Sequence, residues 1–236
     1  MSEVQAADLI TRATELLRTH LANTKASAAE QRYRFEHCLR VARIGRRVAA
    51  AEGLPVDVLE LGCLLHDIGK YDAVAHVDHG RAGAIIVRDF FAECGYHGPH
   101  ADEIILGIAM HVDDRANPRT AEYGYLSTED QGTLADAHAN PYLIFDSEPT
   151  TLARSIGDCD NIDRFSAYRI ADTLKYRAFM DLSTREQREF IDSYLQILDT
   201  GFTLPTATAT ANELWIDCLE FQRTFFTRLA ADLAES

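Results

Sequence analysis

Apolar residues recur along most of the chain at intervals of three and four, and alternating β-branched runs are scarce. That period places apolar side chains on one face of a helix, so the fold class is predicted to be all-α. A first helix is expected over about 3–23, with Leu9, Ala13, Leu16 and Leu17 on one side. A second, about 28–52, carries the stripe His37, Val41, Ile44, Val48 and Ala51, and Gly53 with Pro55 ends it. A third, about 56–66, runs through Val58, Leu61, Leu64 and Leu65 into His66 before Gly69 breaks it. Helices at about 80–94 and 100–112 flank a Gly98–Pro99 turn, and the later one carries Ile104, Ile105, Ile108 and His111. One long helix is expected over about 149–180. Ser183 and Glu186 then make a capping box for a helix at about 184–200. The last helix, about 211–234, shows the stripe Leu214, Leu219, Phe221, Phe225 and Leu229.

Two stretches lack this period. The segment at about 113–148 holds Pro118, Gly124, Gly132, Asn140 and Pro141, and reads either as a lid or as a tolerated surface insertion. Residues 201–210, rich in Thr and Ala around Pro205, read as a linker. The predicted organisation is a helical core over 1–200 interrupted by that insertion. A linker and C-terminal helix follow over 201–236, packing on the core or on a partner subunit in a homodimer.

Composition narrows the classes. Apolar residues make up 47% and charged residues 25%, the balance of a chain with a packed core. The formal net charge of -14 disfavours binding to long nucleic acid, although a bound metal could still attract a small phosphorylated substrate. The five cysteines are widely spaced, with no C-x-x-C pair, which argues against a disulfide framework or a cysteine-rich zinc site. No basic-then-apolar leader opens the sequence and no apolar run suits a membrane span, so a cytoplasmic, soluble protein is expected.

Candidate chemistry centres on His66-Asp67 at the end of the third helix, where nitrogen and oxygen ligands can reach one cation. Gly69 allows a sharp turn that brings Lys70 close. His37 lies on an apolar face, where an imidazole needs partners for both nitrogens. The run SIGDCDNIDRF packs Asp158, Asp160 and Asp163 into six residues of a part-buried helix. Asp160 and Asp163 share a face, whereas Asp158 lies about 200° round the helix from Asp160. Such carboxylates need a cation, or an arginine such as Arg164. His79 and His111 follow in helix-terminal positions; His76, beside the loop near His79, reads as solvent-exposed, and His20, His97, His100 and His138 have no motif around them and read as surface residues.

The order His37, His66-Asp67-Ile68-Gly69-Lys70, Asp160 resembles the HD-domain phosphohydrolase superfamily. So do the flanks: LGCLLHDIGK, His79-Gly80 with Gly83-Ala84, the Ile-rich helix ending in His111, and the D-x-D-x-x-D run. The resemblance spans about residues 30–170 and implies an HD-domain helical bundle with a metal site in its core. It implies His37, His66, Asp67 and Asp160 as metal ligands, with Asp158 in reserve and Asp163 orienting Arg164 or nearby backbone. His79 and His111 would bind a second ion, with Asp67 bridging, or else touch the substrate phosphate. One or two divalent ions of Mn, Fe, Co, Ni or Zn suit this donor set. The implied activity is hydrolysis of a small phosphomonoester or diester, nucleotides first. Asp67, Lys70, His79 and His111 are the catalytic candidates, and Arg40, Lys70 and Asn161 the substrate-binding ones, with Tyr71 and Tyr168 as further candidate lining. A di-iron oxygenase of the same superfamily and a non-catalytic metal- or nucleotide-binding regulator remain open.

Overall fold

The structure is a computed structural model that describes residues 3–73, 79–112 and 149–234. The predicted 113–148 segment, His76 and His138 therefore lie outside the described residues. Among those described there are nine α-helices and no strand. They are α1 (Glu3–Ala22), α2 (Ala28–Glu52), α3 (Val56–Leu65), α4 (His79–Cys94), α5 (Pro99–Met110), α6 (Thr151–Arg164), α7 (Ala167–Tyr176), α8 (Thr184–Gly201) and α9 (Ala209–Ala234). A 3-10 turn, Phe179–Asp181, joins α7 to α8. No described helix is long and apolar enough to cross a membrane.

Helix α3 is the hub. Val58, Leu59, Leu61, Cys63, Leu64 and Leu65 are buried all round it, the mark of a helix enclosed by others. It packs against α1, α2, α5 and α6. Helix ends are set by local chemistry. Ser27 with Glu30, and Ser183 with Glu186, form full capping boxes at the starts of α2 and α8. Gly53 closes α2 in the left-handed conformation, its N–H bonded to the Ala49 carbonyl.

The single long helix expected over about 149–180 is two helices, broken at Phe165–Ser166. Nothing in the local periodicity marks the break, because its cause is tertiary. Fully buried Gln222 of α9 donates through Nε2 to the carbonyls of Phe165 (2.7 Å) and Ser166 (3.1 Å). Its Oε1 accepts the Tyr194 hydroxyl at 2.7 Å. The Phe165 ring meets Trp215 edge-on with centroids 4.9 Å apart. The freed carbonyls are thus satisfied from another helix.

The buried stripe of α9 also differs from expectation. It is Ala211, Trp215, Leu219, Gln222 and Phe226, while Phe221 is 53% exposed. A buried glutamine in mid-stripe disguises the face. Trp215 adds an indole N–H bond to the Gly201 carbonyl at 2.9 Å, fixing α9 to the end of α8.

The turn after α3 depends on close backbone approach. A Cβ at Gly69 would collide with the backbone nitrogen of Gly83 and the carbonyl oxygen of His79. The turn bearing Asp67 can therefore press on the start of α4 only because Gly69 has no side chain. Gly69→Ala is expected to cost about 3 kcal/mol, seen as a fall in melting temperature of roughly 6–12 °C. Gly53→Ala meets open space at a positive φ and should cost only about 1 kcal/mol. Equal melting temperatures for the two variants would contradict this packing.

Candidate metal centre

Five helices converge on one buried cluster. The middle of α2 supplies His37, the end of α3 His66 and Asp67, the start of α4 His79, the end of α5 His111, and α6 Asp160. All six are at most 8% exposed. His66 and Asp67 stand where α3 stops, so adjacent residues enter the centre from one turn. His37, by contrast, relies on the inward face of α2.

The hydrogen bonds fix the imidazoles. Nδ1–H of His66 donates to the Cys63 carbonyl at 2.7 Å, and Nδ1–H of His111 to the Ile108 carbonyl at 2.7 Å. Nδ1–H of His37 donates to Asp163 Oδ2 at 2.7 Å. A carbonyl or ionised carboxylate can only accept, so each neutral ring keeps its Nε2 lone pair for the centre. Those nitrogens meet in pairs: His37 Nε2 is 3.2 Å from His66 Nε2, and His79 Nε2 is 3.2 Å from His111 Nε2. Two nitrogens bound about 2.1 Å from one ion stand roughly 3.0–3.4 Å apart at octahedral to tetrahedral angles.

Asp67 faces both pairs. Its Oδ2 is 3.5 Å from His37 Nε2 and 3.6 Å from His66 Nε2. Its Oδ1 is 2.9 Å from His79 Nε2 and 3.6 Å from His111 Nε2, yet this buried oxygen accepts no well-formed hydrogen bond. Asp160 Oδ1 lies 3.1 Å from His37 Nε2 and 3.5 Å from His66 Nε2. Three overlapping groups could each hold an ion: His37, His66 and Asp67; His66, His111 and Asp160; Asp67, His79 and His111. Converging lone pairs and an orphaned buried carboxylate oxygen fit a divalent metal ion.

Electrostatics point the same way. Burial opposes charge on His37, but hydrogen bonds to Asp160 and Asp163 and the charge of Asp67 outweigh it, pushing the imidazole up to about 9. The carboxylates thus demand positive charge at His37 Nε2, which a proton meets in the protein alone and a divalent ion would meet in its place. Burial also opposes ionisation of Asp67, yet Arg34, Lys70 and His66 hold it well below the usual carboxylate range. For Asp160 the histidines His37 and His66 overcome burial in the same way. Burial pushes His79 down to about 3, so its ring stays neutral, as a ligand must.

A cleft of about 200 Å³ opens over the cluster. Besides His37, Asp67, His79 and Asp160 it is lined by Tyr33, Arg34, Lys70, Val112, Arg164 and Arg169. Arg34 pairs with Asp67 Oδ2 through Nη1. Arg34 and Tyr33 escaped the sequence reading, although they stand three and four residues before His37 and so share its helix face. Arg169 could not be found that way, because the break at Phe165–Ser166 sets its direction.

The other sequence candidates lie elsewhere. Arg40 grips Asp163, Nε to Oδ1 at 2.8 Å and Nη2 to Oδ2 at 3.1 Å, and its guanidinium sits 4.2 Å from the Tyr168 ring centroid. Asp163 thus orients His37 and Arg40. Asn161 accepts from Arg164 at 3.1 Å, and Arg40, Asn161, Tyr71 and Tyr168 do not line the cleft. Asp158 accepts the Ala207 N–H at 2.7 Å, and burial raises its carboxyl to about 6. It ties the segment before α9 to α6 and belongs to none of the three ligand groups. His97 and His100 are exposed, and His20 pairs with Asp72 at 2.8 Å.

A bundle with histidines and aspartates gathered at its helix ends defines a class. The HD-domain family model matches residues 34–164, more than half of the chain, and the chain belongs to that family. Among solved structures, a predicted HD superfamily hydrolase from an uncultured Thermotogales bacterium superposes with a TM-score of 0.59 at 19% identity. The match covers 94% of this chain and 91% of that one, and at that identity it establishes the fold. The HD domain of the L. monocytogenes phosphodiesterase PgpH, in complex with cyclic-di-AMP, gives a TM-score of only 0.41 at 17% identity, over 87% of this chain and 93% of that one. A deoxyguanosinetriphosphate triphosphohydrolase-like protein of Streptomyces coelicolor is 36% identical over 78 residues. Those residues are 33% of this chain and 17% of that protein, so the chain spans only a small part of the relative's length.

Asp163→Asn removes the charge behind His37 but keeps a hydrogen-bond acceptor. Metal affinity, measured by calorimetric titration, should fall by about 10–100-fold with helicity retained. An unchanged affinity would remove Asp163 from the support of the centre.

Proposed function

We propose that the chain is a metal-dependent phosphohydrolase that cleaves a small phosphate ester, nucleotides being the first class to test. The observation that carries this reading is one cleft in which six buried donors of metal-ligand type lie beneath Arg34, Lys70, Arg164 and Arg169. A chain with a net charge of -14 places four cations around one small opening, and that suits a phosphoryl group.

In this reading His37, His66, Asp67 and Asp160 would hold one ion, and Asp67, His79 and His111 would hold a second. A bound divalent ion supplies Lewis acidity and lowers the pKa of water toward about 7. Asp160, which turns only Oδ1 to His37 and His66, accepts on its other oxygen the proton that leaves the attacking water as the water oxygen bonds to phosphorus. Lys70 and Arg34 neutralise charge growing on the phosphoryl oxygens. Burial lowers the pKa of Lys70 despite the nearby Asp67 charge, so Lys70 also suits proton donation to the departing oxygen as the ester P–O bond breaks. A neutral, paired His79 fits a ligand better than that acid. The same donors could hold two irons for oxygen chemistry, but the ring of cations favours the phosphoester.

Elemental analysis of the purified protein should find about two divalent ions per chain. With the metal so identified, a panel of nucleotides and other phosphoesters should release phosphate or a phosphomonoester. Chelation should stop turnover and the same metal restore it. Asp67→Ala should lower turnover by about three orders of magnitude or more while circular dichroism stays native. Full turnover in Asp67→Ala, or none in the parent with any metal bound, would defeat the reading; iron with oxygen consumption would support the oxygenase.

A further inference from the structure

Four cationic side chains line the cleft. Among the described residues, Asp67 and Asp160 line it beside Arg34, Lys70, Arg164 and Arg169, and Asp172 pairs with Arg169 at 2.9 Å. The cations are also spread in depth. Arg34 is paired with Asp67 at the centre, whereas Arg169 reaches in from α7 to the Tyr33 hydroxyl through Nη1. The two guanidinium carbons bracket the Tyr33 ring, 5.6 Å and 5.8 Å from its centroid. The Tyr33 ring in turn lies parallel to His37, with centroids 6.3 Å apart and planes 4° from parallel.

Both arginines carry an unmet donor. Nε of Arg34 and Nε of Arg169 are buried and have no hydrogen-bond acceptor. Asp172 takes only Nη1 of Arg169, at 2.9 Å. A charged N–H shut away from water without an acceptor is costly, and here two such donors flank one tyrosine at the wall of an anion-binding cleft. Tyr33 and Arg169 both fall outside residues 34–164, so this wall belongs to the chain's own flanks rather than to the matched family segment.

We propose that Tyr33, Arg34 and Arg169 form a subsite for a second phosphoryl group, so that the substrate carries at least two adjacent phosphates. Arg169 is the specificity-determining residue of the subsite, holding the phosphate remote from the metal centre. This rests on the phosphohydrolase reading above.

The test is calorimetric binding of orthophosphate and of methylenediphosphonate, which has a non-hydrolysable P–C–P link, to the metal-loaded protein. Elemental analysis of each variant checks that the centre is intact. Methylenediphosphonate should bind the parent at least about tenfold more tightly than orthophosphate. In Arg169→Gln that preference should vanish, through about tenfold weaker diphosphonate binding and less than about twofold change for orthophosphate. Arg169→Lys, which restores the charge without the planar fork, should recover part of the preference. Equal binding of the two probes by the parent, or equal weakening of both in Arg169→Gln, overturns the subsite while leaving hydrolysis of monoesters intact. If the parent binds neither probe and turns over no phosphoester, the phosphohydrolase reading fails and the subsite falls with it.

Discussion

Four imidazoles and two carboxylates share one water-poor volume, and positive charge has to sit among them. Asp67 is the focus of that constraint, since one of its oxygens faces His37 and His66 and the other faces His79 and His111. Burying a carboxylate is costly unless cations surround it. Arg34, Lys70 and a proton on His37 meet that requirement in the protein by itself. The packing of the helices serves the same end. The glycine contact between the turn after α3 and the start of α4 brings Asp67 beside His79, and the enclosed α3 holds His66 rigidly at its tip.

Support for the centre comes from a surrounding layer of acceptors. The Cys63 and Ile108 carbonyls each stand three residues before the histidine they orient, so the last turn of a helix aims its own terminal imidazole. His37 is in mid-helix and has no such carbonyl free, and Asp163 from α6 takes that place. Arg40 completes the chain by holding Asp163 through both of its carboxylate oxygens. Two kinds of support thus follow from where on a helix each histidine falls.

Much of the helical layout was legible in the sequence. The bounds of α2, α3 and α8 follow from apolar period, glycine stops and a capping box, all of them local signals. The residues that meet at the centre are those that the resemblance to the HD-domain superfamily implies, carried by motif order and spacing. What escaped was set by contacts distant in sequence. Gln222 breaks the expected long helix and lies buried where the pattern reads polar, so both the break and the true stripe of α9 were missed. Arg40 reads as a substrate-binding charge, and Asp163 as a partner of Arg164 or nearby backbone, until α2 and α6 are seen side by side. Tyr33 and Arg34 were within reach, since their spacing from His37 puts them on its face.

The glutamine that interrupts α6 and α7 also divides the labour of the cleft. Everything beneath comes from the shared helical framework, whereas the orientation of Arg169 is held by a residue more than fifty positions later. A lineage altering α9 could retune which molecules are admitted without disturbing a single ligand of the centre. Under the subsite proposed for Arg169, selectivity and reactivity would be inherited through different stretches of the same polypeptide.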